Sequence, residues 1–207
     1  MREAWSRFVA AEDYETHMAA IGQAQANASL VAELLAAAAP PPASRILIAG
    51  AGTGQMFDYC APELFRGCTL VCSDINPAFL EKLRARRECH TVVDDIEDSR
   101  LEPGFSVIIV VLVLEHVEWR KALASLARLR PGHVLVVIQR NPEGALPYRE
   151  RIGTMRLFGS EVEPNLIQLT ALVEEFDRLG FRLKLQRKRA VADGKAMVGL
   201  LFALTPA

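Results

Sequence analysis

The sequence predicts an α/β fold: a mostly parallel sheet covered by helices and finished by an antiparallel hairpin. Three observations predict it. Short apolar runs without polar alternation recur between residues 45 and 138, as in strands buried on both faces. Helix-like stretches separate most of these runs, and a helical crossover returns the chain to a parallel neighbour. Near the end, Asp193-Gly194 lies between two further strand-like segments, and such a tight turn joins antiparallel partners.

Taken in order, residues 3–39 read as helical. Alanine and leucine dominate, Gly22 is the only glycine, and Leu30, Val31, Leu34 and Leu35 recur at helical spacing. Pro40-Pro41-Pro42 then stops the helix, because each ring removes a donor and clashes with the preceding turn. This linker divides the chain into an N-terminal helical cap or lid over 1–39 and a ligand-binding domain over 44–207. Within that domain the apolar runs are 45–49, 69–73, 91–93, 105–114 and 133–138. Helices are predicted over 54–65, 77–87 and 118–129. A further helix over 169–179 places Leu172, Val173, Phe176 and Leu179 on one face, and Gly180 closes it.

The two last strands, 181–191 and 196–204, differ in composition. Met197 to Phe202 is apolar throughout, so the seventh strand belongs inside the sheet. The sixth carries Arg182, Lys184, Arg187, Lys188 and Arg189, charges that suit an exposed edge. The stretch 140–167 is longer than an ordinary connection and reads as a lid or binding loop. It holds Pro142, Pro147, Tyr148, Arg149, Met155 and Phe158.

Composition narrows the function. The chain has 207 residues and a formal net charge of −1, which weighs against a surface built to hold a phosphate backbone. No apolar run is long enough to cross a bilayer. The N-terminus lacks the basic and apolar regions of a signal peptide. Cys60, Cys68, Cys72 and Cys89 form no Cys-x-x-Cys pair and no zinc pattern. They read as thiols in a reducing compartment. The expectation is therefore a cytoplasmic protein without a membrane span or a metal site.

The chemistry gathers at the ends of the first strands. Gly50-Ala51-Gly52-Thr53-Gly54 follows an apolar strand and precedes a predicted helix. Glycines there allow a sharp turn and close approach of a ligand, and a helix N-terminus offers free N–H groups. Asp74 stands at the end of the second apolar run, where a carboxylate can accept from both hydroxyls of a ribose. A helix cap before Pro77 is its alternative role. Together these residues specify an adenosine-containing ligand. They do not separate a nicotinamide cofactor from S-adenosylmethionine.

Five segments in order resemble the class I S-adenosylmethionine-dependent methyltransferases, over roughly residues 44–204. Ile46 to Gln55, ILIAGAGTGQ, resembles the family's first motif, beside the methionine part of the cofactor. Ser73-Asp74-Ile75-Asn76-Pro77 resembles the second. Val93-Asp94-Asp95-Ile96-Glu97-Asp98 resembles the segment after the third strand. Phe105 to Ile109 with Val113 to Val117 resembles the fourth motif, and Leu129 to Val137 the turn into the fifth strand. The resemblance implies a seven-stranded, mostly parallel Rossmann-like sheet in the order 3-2-1-4-5-7-6, with the seventh strand antiparallel. It implies S-adenosylmethionine as cofactor, held by Gly50, Ala51, Gly52, Thr53, Gly54, Asp74, Ile75, Asp95, Ile96 and Val111. Asp74 would take the ribose, and Asp95, with Asp94 as fallback, the adenine amino group, with Ile96 beside the ring.

Two positions depart from the family's pattern. The acidic residue usually two places before the first glycine is Ile48. The aspartate usually following the first aromatic residue of the fourth motif is Ser106. A cofactor-binding protein without catalysis is thereby an alternative. A sulfonium methyl is already activated, so the protein's main tasks are alignment and exclusion of water. An oxygen acceptor would also call for a base; the candidates are His116, Glu115, His17 and Tyr148. The expected acceptor is a small molecule, with an RNA or protein acceptor as the alternative. The antiparallel last strand, and Gln55 where a dinucleotide fingerprint has glycine, weigh against an oxidoreductase.

Overall fold

The computed structural model describes Glu15, residues 22–141 and residues 167–205. The alternation of strands and helices predicted from the sequence is present. Helix α1 (Gln23–Ala38) precedes β1 (Arg45–Ala49), β2 (Thr69–Asp74), α2 (Pro77–Arg86), β3 (His90–Val93) and β4 (Val107–Val111). Helix α3 (Trp119–Arg128), β5 (His133–Arg140), α4 (Leu169–Arg178), β6 (Phe181–Ala190) and β7 (Ala196–Leu204) complete the described elements. The seven strands form one sheet in the order β3-β2-β1-β4-β5-β7-β6. Strands β1 to β5 pair in parallel, with Ile46 opposite Leu70 and Val107. Strand β7 runs antiparallel between β5 and β6, as expected.

Strand alternation sends successive side chains to opposite faces. Leu47, Ile108, Val110 and Val136 therefore pack with Leu123, Leu126, Leu172 and Phe176 of α3 and α4. Ile46, Ile48, Ile109 and Leu135 pack on the other face with Leu30, Val31, Leu34 and Leu35 of α1. Helix α1 thus packs as a layer on the sheet; of the remainder of the expected cap over 1–39 that precedes it, only Glu15 and Gly22 are among the described residues. Gly199 of β7 makes this close seating possible: a Cβ there would lie 2.9 Å from Leu34.

Three local expectations are corrected. Gly22, at φ 68°, begins α1 with a left-handed turn, so no continuous helix crosses it. Residues 54–65 do not form an α-helix. A short 3-10 segment, Gln55–Tyr59, is followed by turns, because Pro62 disfavours helical geometry at Ala61 and lacks a donor of its own. The fourth strand is confined to Val107–Val111. Leu112 adopts φ 56° and donates its N–H to Val137 at 2.9 Å, which turns the chain out of the strand. Between β6 and β7 the expected tight turn is present as a 3-10 turn over Ala192–Gly194, joining antiparallel strands.

The charged run on β6 lies on the sheet edge, as its composition predicted. Arg187 and Arg189 both pair with Glu33 of α1. Among the described residues, no helix is long and apolar enough to cross a membrane.

Candidate functional site

The C-terminal ends of β1, β2 and β4 converge on the glycine loop. Gly50, Gly52 and Gly54 all have positive φ, at 69°, 58° and 75°, a region that side chains rarely enter. At Gly50 the restriction is doubled, because a Cβ would lie 2.4 Å from the Val113 side chain. The loop is pinned to β2 by Ala51 N–H donating to Ser73 O at 2.8 Å. It leads into the 3-10 segment, so no α-helix N-terminus stands behind it.

Asp74 is 8% exposed and holds the loop directly. Its Oδ2 accepts from Gly52 N–H at 2.8 Å, and its Oδ1 accepts from Asn76 N–H at 2.9 Å. Burial raises its pKa, while the amides of Asn76, Gly52 and Ile75 act in the opposite direction. A carboxylate has about four acceptor sites, so these bonds leave capacity for a ligand. The cap before Pro77 is supplied instead by Asn76, whose side chain accepts from Ala78 N–H at 3.0 Å. Ile75 is half-buried beside it.

On the far side of β2, Asp95 accepts from Glu97 N–H at 3.0 Å through Oδ1. Asp94 accepts from Arg100 N–H at 3.0 Å. Ile96 is buried in the cluster of Leu47, Ala49 and Val71. A cleft opens between the glycine loop and the end of β4. Residues 50–54, Ile48, Gln55, Met56, Val111, Leu112, and Ala24 and Asn27 of α1 line it. Ile48 therefore faces the cleft. Ser106 does not: it precedes β4 at the opposite sheet end, where its backbone bonds Arg45 O at 2.9 Å and His133 N at 3.0 Å.

The loop's outer side is clamped by a guanidinium. Arg86 donates to Thr53 O at 3.0 Å, pairs with the Glu15 carboxylate and lies 3.2 Å from Asp58. The bond from Arg86 is the main reason the Glu15 carboxyl lies below its usual pKa. Gln55 Nε2 donates to Glu15 O at 3.0 Å, so a residue preceding α1 is tied to the glycine loop at two points.

Glu115 and His116 occupy a 3-10 turn after β4. Glu115 is 7% exposed; its Oε1 accepts from Gln139 N–H at 2.8 Å. Its Oε2 has no partner among the described residues. Burial pushes its pKa up to about 7. Burial likewise pushes the His116 imidazole down to about 4, keeping it neutral at pH 7. His17, Tyr148 and Phe158 lie outside the described residues.

Sequence reasoning missed the polar residues of α1. Gln23 donates to the side chain of Gln139 on β5, and Asn27 lines the cleft one turn later. The available signal was their four-residue spacing on the face that also carries Val31 and Leu34. It also missed Arg86 and Glu15, whose 71-residue separation leaves no local trace.

The fold recurs in solved structures at low identity. A Haloferax volcanii putative methyltransferase in complex with the Trm112 methyltransferase activator has TM-score 0.70 and 13% identity, over 99% of this chain and 98% of that one. Magnesium protoporphyrin IX methyltransferase from Synechocystis PCC 6803, with bound S-adenosylmethionine, has TM-score 0.66 and 16% identity, over 89% and 80%. Phosphoethanolamine N-methyltransferase 2 from Haemonchus contortus has TM-score 0.66 and 15% identity, over 86% of this chain and 53% of that one. No curated protein matches the chain. A family model described as a methyltransferase domain matches residues 18–186. With its strand order and glycine loop, the chain belongs to the class I S-adenosylmethionine-dependent methyltransferases.

Proposed function

We propose that this enzyme transfers the methyl group of S-adenosylmethionine to a small-molecule acceptor. The observation that carries the reading is the cleft lined by the glycine loop, whose Gly52 is held by the buried Asp74 carboxylate. The residues present fit the cofactor. Three glycines keep side chains off the loop, Asp74 retains acceptor capacity for ribose hydroxyls, and Asn27, which lines the cleft, carries a buried oxygen without a partner among the described residues. Gly50, Ala51, Gly52, Thr53, Gly54 and Val111 would line its amino-acid side, Asp74 and Ile75 its ribose, and Asp95 and Ile96 its adenine.

When bound, the cofactor supplies a sulfonium methyl already activated for in-line attack. The chain's own residues align the acceptor and exclude water. Glu115 is the preferred candidate base. Its free oxygen is buried at the end of β4, and a carboxyl with a pKa near 7 can take up a proton from an attacking hydroxyl. In this reading the expected N-terminal cap reaches the glycine loop through Glu15, which pairs with Arg86.

A small acceptor fits the near-neutral charge of −1 and the pairing of Arg187 and Arg189 with Glu33, which engages part of the basic run. Structural neighbours include enzymes of porphyrin, phosphoethanolamine and geranyl diphosphate methylation. A cytoplasmic location fits the free cysteines. The test is release of S-adenosylhomocysteine against a broad panel of small acceptors, with total RNA and protein extract in parallel. Turnover on a small molecule supports the reading; turnover on RNA or protein alone replaces it.

A further inference from the structure

We propose that Asn27 receives the α-ammonium group of the cofactor. The inference rests on the cofactor reading above and adds a residue to it.

The argument starts from polar satisfaction. Buried polar atoms are nearly always hydrogen-bonded, and an exception calls for an explanation. Asn27 is 3% exposed, and its Oδ1 has no partner among the described residues. Its helix neighbour Gln23, also buried, is held by Gln139. Asn27 therefore sits in an apolar helix face with an acceptor oxygen that the protein does not use. That side chain lines the cleft together with Ile48, Gly50, Gly52, Val111 and Leu112.

The strand order decides which part of the ligand arrives there. Strands β3, β2, β1 and β4 lie side by side. A ligand whose ribose bonds Asp74 at the end of β2, and whose base lies toward Asp95 after β3, extends its other end over β1 and β4. That end is the amino acid, and its nitrogen carries donors only. The wall it meets from β1 is apolar, because Ile48 is buried and faces the cleft. Asn27 of α1 adds an unpaired acceptor to the lining of the same cleft. A neutral amide oxygen also leaves no buried charge behind when the ligand departs.

The test compares S-adenosylhomocysteine with its desamino analogue, which keeps the carboxylate, by titration calorimetry on the full chain. Asn27→Leu preserves size and helix formation and removes the acceptor. It should weaken S-adenosylhomocysteine on the order of 10-fold or more, the usual effect of a hydrogen bond to a charged group. Affinity for the desamino analogue should stay within about 2-fold, with the Tm confirming that the variant folds. Asn27→Asp should keep or raise the ratio of the two affinities and carries the test alone if Asn27→Leu does not fold. Equal loss for both ligands, no loss for either, or a fall in the ratio for Asn27→Asp overturns the assignment. A wild-type protein that binds neither ligand overturns the cofactor reading itself.

Discussion

At the scale of single residues, Asp74 has two duties. It accepts from Gly52 and Asn76 and is the proposed partner of the ribose. Asp74→Asn keeps the shape and removes the charge. It should weaken S-adenosylhomocysteine by about 1.5–3 kcal/mol, the range for hydrogen bonds to charged groups, as read by calorimetry. The glycine loop should also exchange its amides faster, because the Gly52 N–H loses a charged acceptor. Unchanged affinity in the folded variant would move the ribose contact elsewhere. Glu115 offers a pH signature. Its folded pKa is raised to about 7 from an ordinary 4.5, so over that window the folded state holds a proton that the unfolded chain releases. The resulting stabilisation is complete below about 4.5 and is lost as pH rises through about 7. Glu115→Gln removes this group's pH dependence. The Tm difference between wild type and Glu115→Gln should therefore shift against wild type from pH 5 to pH 8; a constant difference would mean that Glu115 is not desolvated as described.

At the scale of elements, the glycine loop depends on backbone geometry and on one close contact. Gly50→Ala meets both a φ of 69° and a contact of 2.4 Å with Val113. The left-handed conformation alone costs roughly 1–2 kcal/mol, and the collision adds to it. Urea unfolding of Gly50→Ala, Val113→Ala and the double variant separates the two. The double variant should recover the collision and keep the backbone cost, leaving a coupling energy of about 1 kcal/mol or more. Full additivity would mean that Val113 yields freely. The same scale explains the missing helix after the loop. The glycine pattern is compatible with many turns, and Pro62 bars an α-helix through residues 54–65 although their apolar spacing suits one.

At the scale of the whole molecule, the question is how the segment before α1 relates to the cleft. Glu15 meets Arg86, which also holds Thr53 of the glycine loop, so a ligand that steadies the loop should also strengthen the hold on Glu15. Limited proteolysis within the first 21 residues should slow several-fold when S-adenosylhomocysteine is added. Arg86→Ala should abolish that protection at equal ligand occupancy. Cleavage that ignores the ligand would reduce the segment to a structural role and remove His17 from the candidates.

Much of this molecule is written locally. Uninterrupted apolar runs fix buried strands, and Pro40 to Pro42, Gly180 and the Asp193-Gly194 pair mark where elements end. Hydrophobic periodicity and turn chemistry act over a few residues, which is why they are legible in one sequence. Strand order and the antiparallel seventh strand followed from resemblance and from a short connection. Tertiary structure alone decided the rest. Only folding brings Glu15 to Arg86, Gln23 to Gln139 and Glu115 to the Gln139 amide. It also places Ile48 in the cleft while Ser106 lies at the far end of the sheet. Burial, pKa and the satisfaction of polar atoms depend on neighbours distant in the chain. For that reason Asn27 reads in the sequence as one polar residue in an alanine-rich helix, and in the fold as a residue lining the cleft with a buried acceptor unpaired among the described residues.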